Sequence, residues 1–255
     1  MALPPAVADA LTAAARAGSL VVATDFDGVL APLVLDPSTS RPLPGTVESL
    51  RVLAGTPDTY AAVVSGRDLT TLAALTGVED GAVTLIGSHG AESSAEAADG
   101  GLDEEERETL ERLTADLEQL RAQLPDVRLE AKPSAVVAHT RGMDADAAAA
   151  AEQSVLDVAA RHDGVRVMQG KHVVEMSVHD ADKGTALTGL RDRVGADALV
   201  YFGDDVTDED VFTRLGDGDV GVKVGDGDTA AGWRVEDPQD VADALALLAD
   251  LRRSR

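Results

Sequence analysis

The 255-residue chain has no cysteine, which excludes disulfides, thiolate-held metals and cysteine nucleophiles. Aromatic residues make up only 2% of it, so Val, Leu and Ala must fill any core, and platforms for stacking nucleic-acid bases are not expected. Positive charge is scarce: 22 Lys and Arg stand against 46 Asp and Glu, a net charge of −24. Such a surface repels phosphate backbones and anionic lipid, so neither nucleic acid nor membrane is an expected partner. No apolar run approaches the roughly 18 residues of a membrane span. The first residues carry Asp9 and no basic start, and they read as a short helix rather than a signal peptide. A cytoplasmic monomer is the expectation. Lysine is rarest among the charged residues, with four (Lys132, Lys171, Lys183 and Lys223) against 18 arginines. A chain that meets ordinary needs for positive charge with Arg makes each Lys a candidate for work as a compact point charge.

What is present alternates. Short apolar, β-branched runs at 20–26, 60–66 and 83–90 predict buried strands of a parallel sheet. Helical spacing separates them, with Asp68 a plausible cap. Near Ala91 the texture turns polar and acidic. A helix over 104–124, two strands around Pro133, an alanine-rich helix over 144–161 and two further strands follow, in the order α-β-β-α-β-β. From Asp182 the βαβ pattern returns, with a last helix near 238–251. The predicted fold class is α/β: a parallel-sheet core formed by 1–90 and 180–255, interrupted by an inserted α+β domain over 91–179.

In open parallel sheets, ligands sit at the carboxyl ends of strands. Four polar clusters fall there: Thr24-Asp25-Phe26-Asp27-Gly28, Ser65-Gly66-Arg67, Asp182-Lys183-Gly184, and Gly203-Asp204-Asp205-Val206-Thr207-Asp208. Asp25 and Asp27, two apart, face one side of an extended chain end. Close carboxylates need a proton or a cation between them, and a hard divalent cation takes oxygen ligands from one or two carboxylates plus water and phosphate. Asp25 and Asp204 are the natural direct ligands. The scattered histidines and absent cysteines speak against zinc. Lys183 opens a helix, where its charge opposes the macrodipole, but there it can balance carboxylates and a phosphoryl group. Glu209 and Asp210 read as an acidic first helical turn, and Lys223 as a surface or interface charge.

These motifs resemble those of the haloacid dehalogenase superfamily of phosphohydrolases: Asp-x-Asp at Asp25 and Asp27, Ser at Ser65, Lys at Lys183, and an acidic cluster at GDDVTD. VVSGRDL, GSHGAE, LEAKPSAVVAHTR, GKHVVEM and YFGDDVTDEDVF narrow the resemblance to the trehalose-6-phosphate phosphatase family. The resemblance implies a Rossmannoid core with an α+β cap and Mg²⁺ as cofactor. A small sugar phosphate is the implied substrate, cleaved through an aspartyl phosphate on Asp25 with Asp27 as general acid and base. It assigns Asp25, Asp27, Asp204, Asp205 and Asp208 to the metal, Ser65, Gly66 and Lys183 to phosphate, and Glu130, Lys132, Lys171 and Glu175 to sugar hydroxyls. Arg67, His89, His139 and Arg141 are further substrate-side candidates. The family often carries Thr two residues after the second Asp. Here it is Val29, so the loop must be held by other means. Other capped sugar phosphatases stay open as alternatives. A receiver-type phosphoacceptor is more remote, because it needs no acid/base at Asp27 and has no 89-residue insert.

Overall fold

Strand β1 (Leu20–Asp25) is buried at all six positions, as a strand covered on both faces must be. Its side chains alternate between two cores. Leu20 and Val22 enter one with Leu11, Leu50 and Leu245, while Val21 and Ala23 enter the other with Leu187, Leu190 and Tyr201. The computed structural model describes residues 3–78, 81–95, 102, 104–170, 172–178 and 182–255. Before β1 lies α1 (Pro5–Ala14). After it come α2 (Thr46–Ala54), β2 (Thr59–Val64), α3 (Leu69–Thr76), β3 (Thr84–Gly87) and β4 (Glu92–Ser93). Between β4 and the return of the βαβ pattern lie α4 (Glu104–Gln123), β5 (Arg128–Ala131), β6 (Ala135–His139), α5 (Ala145–Ala159), β7 (Arg166–Gly170) and β8 (Val173–Ser177). Then follow α6 (Lys183–Val194), β9 (Ala198–Gly203), α7 (Glu209–Phe212), β10 (Val220–Val224), β11 (Trp233–Val235) and α8 (Pro238–Arg253).

The chain forms two compact units, one of residues 1–95 with 181–255 and one of 96–180. The first holds a seven-stranded sheet in the order β11-β10-β9-β1-β2-β3-β4. All its neighbours pair in parallel except β3 and β4. β1 lies between β2 and β9, so Asp25 ends the strand between those that lead to Ser65 and Asp204. Arg252 of α8 is buried and donates to the carbonyls of Ala15, Ala17 and Asp58, which ties the last helix to the segments flanking β1.

The second unit is an antiparallel sheet in the order β5-β6-β8-β7. One face packs Val136, Ala138, Val174 and Met176 onto Leu113, Leu117, Val155 and Val158 of α4 and α5. The other places Glu130, Val137, Glu175 and Met168 in one cross-strand row.

Three details depart from the sequence-based expectation. The strand predicted over 83–90 stops at Gly87, because Ser88, His89 and Gly90 take positive φ angles of 48°, 56° and 115° and turn the chain. Residues 92–93, in the polar stretch that opens the expected insert, pair with β3. The three-residue β11 was not foreseen, since so short an edge carries no periodicity.

Candidate active site

The sequence VVATDF runs apolar until Thr24 and then delivers a carboxylate. Asp25 is 5% exposed. Its Oδ2 accepts a hydrogen bond from Lys183 Nζ at 2.8 Å, and its Oδ1 accepts one from the Phe26 amide at 2.6 Å. Burial pushes its carboxyl up to about 7, with Lys183 opposing the shift and Asp208 adding to it. Lys183, itself 2% exposed, is the first residue of α6. Asp182 caps that helix, accepting from the Thr185 amide while the Thr185 hydroxyl accepts from the Asp182 amide. Nζ bridges Asp25 and Asp208, each at 2.8 Å. Burial opposes the ammonium, but the two carboxylates outweigh it and raise its pKa.

Asp208 is fully buried and fully engaged. Oδ1 accepts from Lys183 at 2.8 Å and from the Tyr201 hydroxyl at 2.6 Å, and Oδ2 accepts from the Asp204 and Asp205 amides, each at 2.8 Å. Asp205 caps the turn at 206–208 through the Val206 amide and is exposed. Asp204 differs from both. Its Oδ1 is buried and has no hydrogen-bond partner, and burial together with Asp208 pushes its carboxyl up to about 6. Gly28, at φ 77°, lies so close that a Cβ there would overlap Asp204 Oδ2.

Asp27 is half-buried and held by Arg67 in a bidentate ion pair, Nε to Oδ2 at 2.6 Å and a terminal nitrogen to Oδ1 at 2.8 Å. Ser40 adds a hydrogen bond at 3.1 Å. The Arg67 guanidinium also lies 5.5 Å from the Phe26 ring centroid. Ser65 is buried, and its Oγ accepts from the Arg67 amide at 3.2 Å. Gly66 gives room to the His89 ring, which a Cβ would strike, and the His89 amide donates to the Ser65 carbonyl. A cavity of about 770 Å³ is lined by Asp25, Asp27, Ser65, Arg67, Lys183 and Asp204, with Gly66, His89 and Asp205 also in its wall. All of these belong to the first unit.

Backbone and packing hold the first loop where Val29 replaces the family's usual Thr. Gly28 donates to the Ala31 carbonyl at 2.8 Å, and Leu30 and Ala31 donate to the Phe26 carbonyl. Val29 is itself buried in the core.

In the second unit the open sheet face carries an ion pair, Lys132 with Glu175 at 2.9 Å, and a hydrogen bond between Glu130 and His139 Nε2 at 2.8 Å. Arg141 is exposed in the turn after β6. Lys171 lies outside the described residues.

Two participants escaped the sequence. Lys223, expected as a surface charge, is buried in β10, and its Nζ donates to the Asp204 main-chain carbonyl. The signal was present: a rare lysine inside the apolar run VGVKV. Tyr201, in a strand buried throughout, needs a partner for its hydroxyl, and Asp208 supplies one.

The residues fit a divalent cation. Asp25, Asp204 and Asp208 can each bring one oxygen within 4.8 Å of the others. Asp27 is neutralised by Arg67. The unpartnered Asp204 oxygen, beside the buried carboxylates of Asp25 and Asp208, is the ligand atom a hard divalent cation would take.

The trehalose-phosphatase family model matches residues 23–239. A trehalose-phosphate phosphatase of Mycobacterium marinum is 34% identical over 262 residues, covering 94% of this chain and 65% of the relative. That of Mycobacterium ulcerans is 35% identical over 264 residues, with the same two shares. The chain therefore spans just under two thirds of the length of these curated relatives. The structure of Aspergillus fumigatus trehalose-6-phosphate phosphatase superposes with a TM-score of 0.67 at 23% identity, over 98% of this chain and all of that one.

Proposed function

This chain belongs to the trehalose-phosphatase family, and from that membership we propose that it hydrolyses trehalose 6-phosphate to trehalose and phosphate. Its fold is the α/β haloacid dehalogenase-like core with an inserted α+β cap. The observation that carries the proposal is the pairing of a buried Asp25, held by Lys183, with an unpartnered Asp204 oxygen across the same cavity.

The proposed steps are those the family resemblance implies, and the geometry supports them. Asp25 attacks phosphorus, forming a carboxylate–phosphorus bond as the bond to the sugar oxygen breaks. Asp27 gives its proton to that leaving oxygen. Arg67 occupies both of its carboxylate oxygens, so that contact must open as the substrate enters. Asp27 then takes a proton from the water that attacks the aspartyl phosphate, which releases phosphate and restores Asp25. Ser65, the Gly66 backbone and Lys183 bind the phosphoryl oxygens as charge shifts among them. Mg²⁺ is the proposed cofactor, held by Asp25, the Asp27 carbonyl and Asp204, and when bound it neutralises phosphoryl charge. Asp205 and Asp208 support it, Asp208 through hydrogen bonds alone, because its oxygens already accept four. His89 contributes a polar wall beside Gly66.

The sugar is read by Glu130, Lys132, His139, Arg141, Lys171 and Glu175 of the second unit, taken as residues 91–179 inserted between core parts 1–90 and 180–255. Paired charged and polar groups on an open sheet suit a dense array of hydroxyls. A monomer acting in the cytoplasm completes the proposal.

The test is Mg²⁺-dependent phosphate release from a panel of trehalose 6-phosphate, sucrose phosphate and hexose phosphates. Trehalose 6-phosphate should be preferred, and Asp25→Asn should reduce release to background. Asp27→Asn should cost about 10²- to 10⁴-fold in kcat, the usual share of general acid–base catalysis, and should let the phosphoenzyme accumulate. Equal rates across the panel would point instead to a broader capped sugar phosphatase.

A further inference from the structure

Lys223 sits where an apolar residue would be expected. Its neighbours Val220, Val222 and Val224 are all buried, and β10 is covered by β9 on one side and β11 on the other. At 5% exposure, an ammonium in such a strand gives up most of its hydration. A methionine of similar length would fill the space without that cost. What the ammonium gains is one partner, the main-chain carbonyl of Asp204.

That contact completes a cage. The Asp204 amide donates to Asp208 Oδ2 at 2.8 Å, and so does the amide of Asp205. Lys223 takes the carbonyl between those two amides. Both peptide groups flanking the Asp204 Cα are thereby fixed, and Gly28, lacking a Cβ, leaves the space that Oδ2 occupies. The remaining polar atom, Oδ1, is buried and lacks a hydrogen-bond partner. We infer that Lys223 is a positioning residue, which fixes the backbone of Asp204 so that its carboxylate is aimed before a divalent cation arrives. Ligands held in place by their surroundings bind metal more tightly than ligands that must be ordered first. The inference rests on the metal-dependent reading of the site and adds to it a residue that touches neither metal nor substrate.

Lys223 also favours the ionised Asp204 carboxyl, so the titration belongs above about pH 8, where Asp204 is ionised without it; there charge alone predicts the opposite sign. Lys223 is a cation near a cation site, so removing it would tighten binding if repulsion were its main effect. Positioning predicts loosening. The experiment is calorimetric titration of Mg²⁺, with Mn²⁺ followed by electron paramagnetic resonance, into the full chain and into Lys223→Met and Lys223→Arg, without substrate. The expected result is cation affinity about tenfold weaker in Lys223→Met, the size typical of a lost supporting contact, and restored to within about threefold by Lys223→Arg, which keeps a charged donor. Affinity in Lys223→Met that equals or exceeds that of the parent overturns the inference while leaving the metal site intact. A parent chain that binds neither ion overturns the metal-dependent reading as well.

A second measurement needs no variant. Hydrogen–deuterium exchange of the segment 203–208 in the cation-free parent should already be slow, and should change little when Mg²⁺ is added. Free exchange until Mg²⁺ is added would mean that the cation, not Lys223, orders the loop, and would equally overturn the inference.

Discussion

Asp25 and Asp204 are acids placed where ionisation is opposed, and the consequence is measurable without any substrate. Burial is the largest cause in both cases, raising them from the ordinary 3.8 to about 7 and about 6. In the cation-free protein the folded state therefore holds protons that the unfolded chain has released between pH 4 and 7. Stability from these groups is fully present below their unfolded pKa and is lost as pH rises through the folded values. Cation-free protein should accordingly melt at progressively lower temperature from pH 4.5 to 7.5. In Asp25→Asn, which cannot ionise, that slope should be visibly shallower. Mg²⁺ should restore the melting temperature at pH 7.5 and, titrated at pH 6, should release protons that a weakly buffered solution records. A melting temperature that rises over the same window would show that the two carboxyls are ionised in the folded protein from the outset.

The same residues depend on the elements that carry them, and helix caps make the dependence testable. Asp182 caps α6 and sets the first turn from which Lys183 reaches Asp25, while Asp144 caps α5 in the other unit by accepting from the Asp146 and Ala147 amides. Either Asp→Ala change should cost about 1 kcal/mol of stability. Only Asp182→Ala should also lower kcat, because only that helix start aims Lys183, the ammonium proposed to bind phosphate. Thermal melts paired with phosphate-release assays would separate the two effects, and equal kcat values would detach Lys183 placement from the cap. Asp182 was legible as part of the Asp182-Lys183-Gly184 cluster, though not as a cap, and β1, β2 and β9 were legible as apolar runs ending in Asp25, Ser65 and Asp204. The partners of those residues were not legible in the same way. Arg67 on Asp27 spans 40 positions, Tyr201 on Asp208 depends on strand register, and Lys223 on Asp204 spans 19. Periodicity reports which face a residue occupies but not which neighbour waits there. The positive φ angles at Ser88 and His89 likewise belong to non-glycine residues, whose sequence gives no warning of the turn.

At the scale of the molecule the dominant fact is a net charge of −24 on 255 residues. The described ion pairs within single helices, such as Arg107–Glu104, Arg121–Glu118 and Arg253–Asp250, are exposed and contribute little each. The unpaired excess of carboxylates repels itself, and that repulsion weighs against the compact state. Salt should relieve it. The Debye length contracts from about 30 Å at 0.01 M to about 3 Å at 1 M, so repulsion between distant carboxylates is extinguished first. The Lys183 bridge between Asp25 and Asp208, buried and in direct contact, is screened far less. The melting temperature should therefore climb with NaCl across that range. The kcat at saturating Mg²⁺ and substrate should stay nearly constant, because the charges proposed to act on the phosphoryl group are buried beneath the screened surface. A melting temperature that falls with NaCl would mean that the surface ion pairs outweigh the excess of negative charge. A kcat that falls in parallel with rising salt would mean that the site draws on the field of the whole surface rather than on its own buried cations.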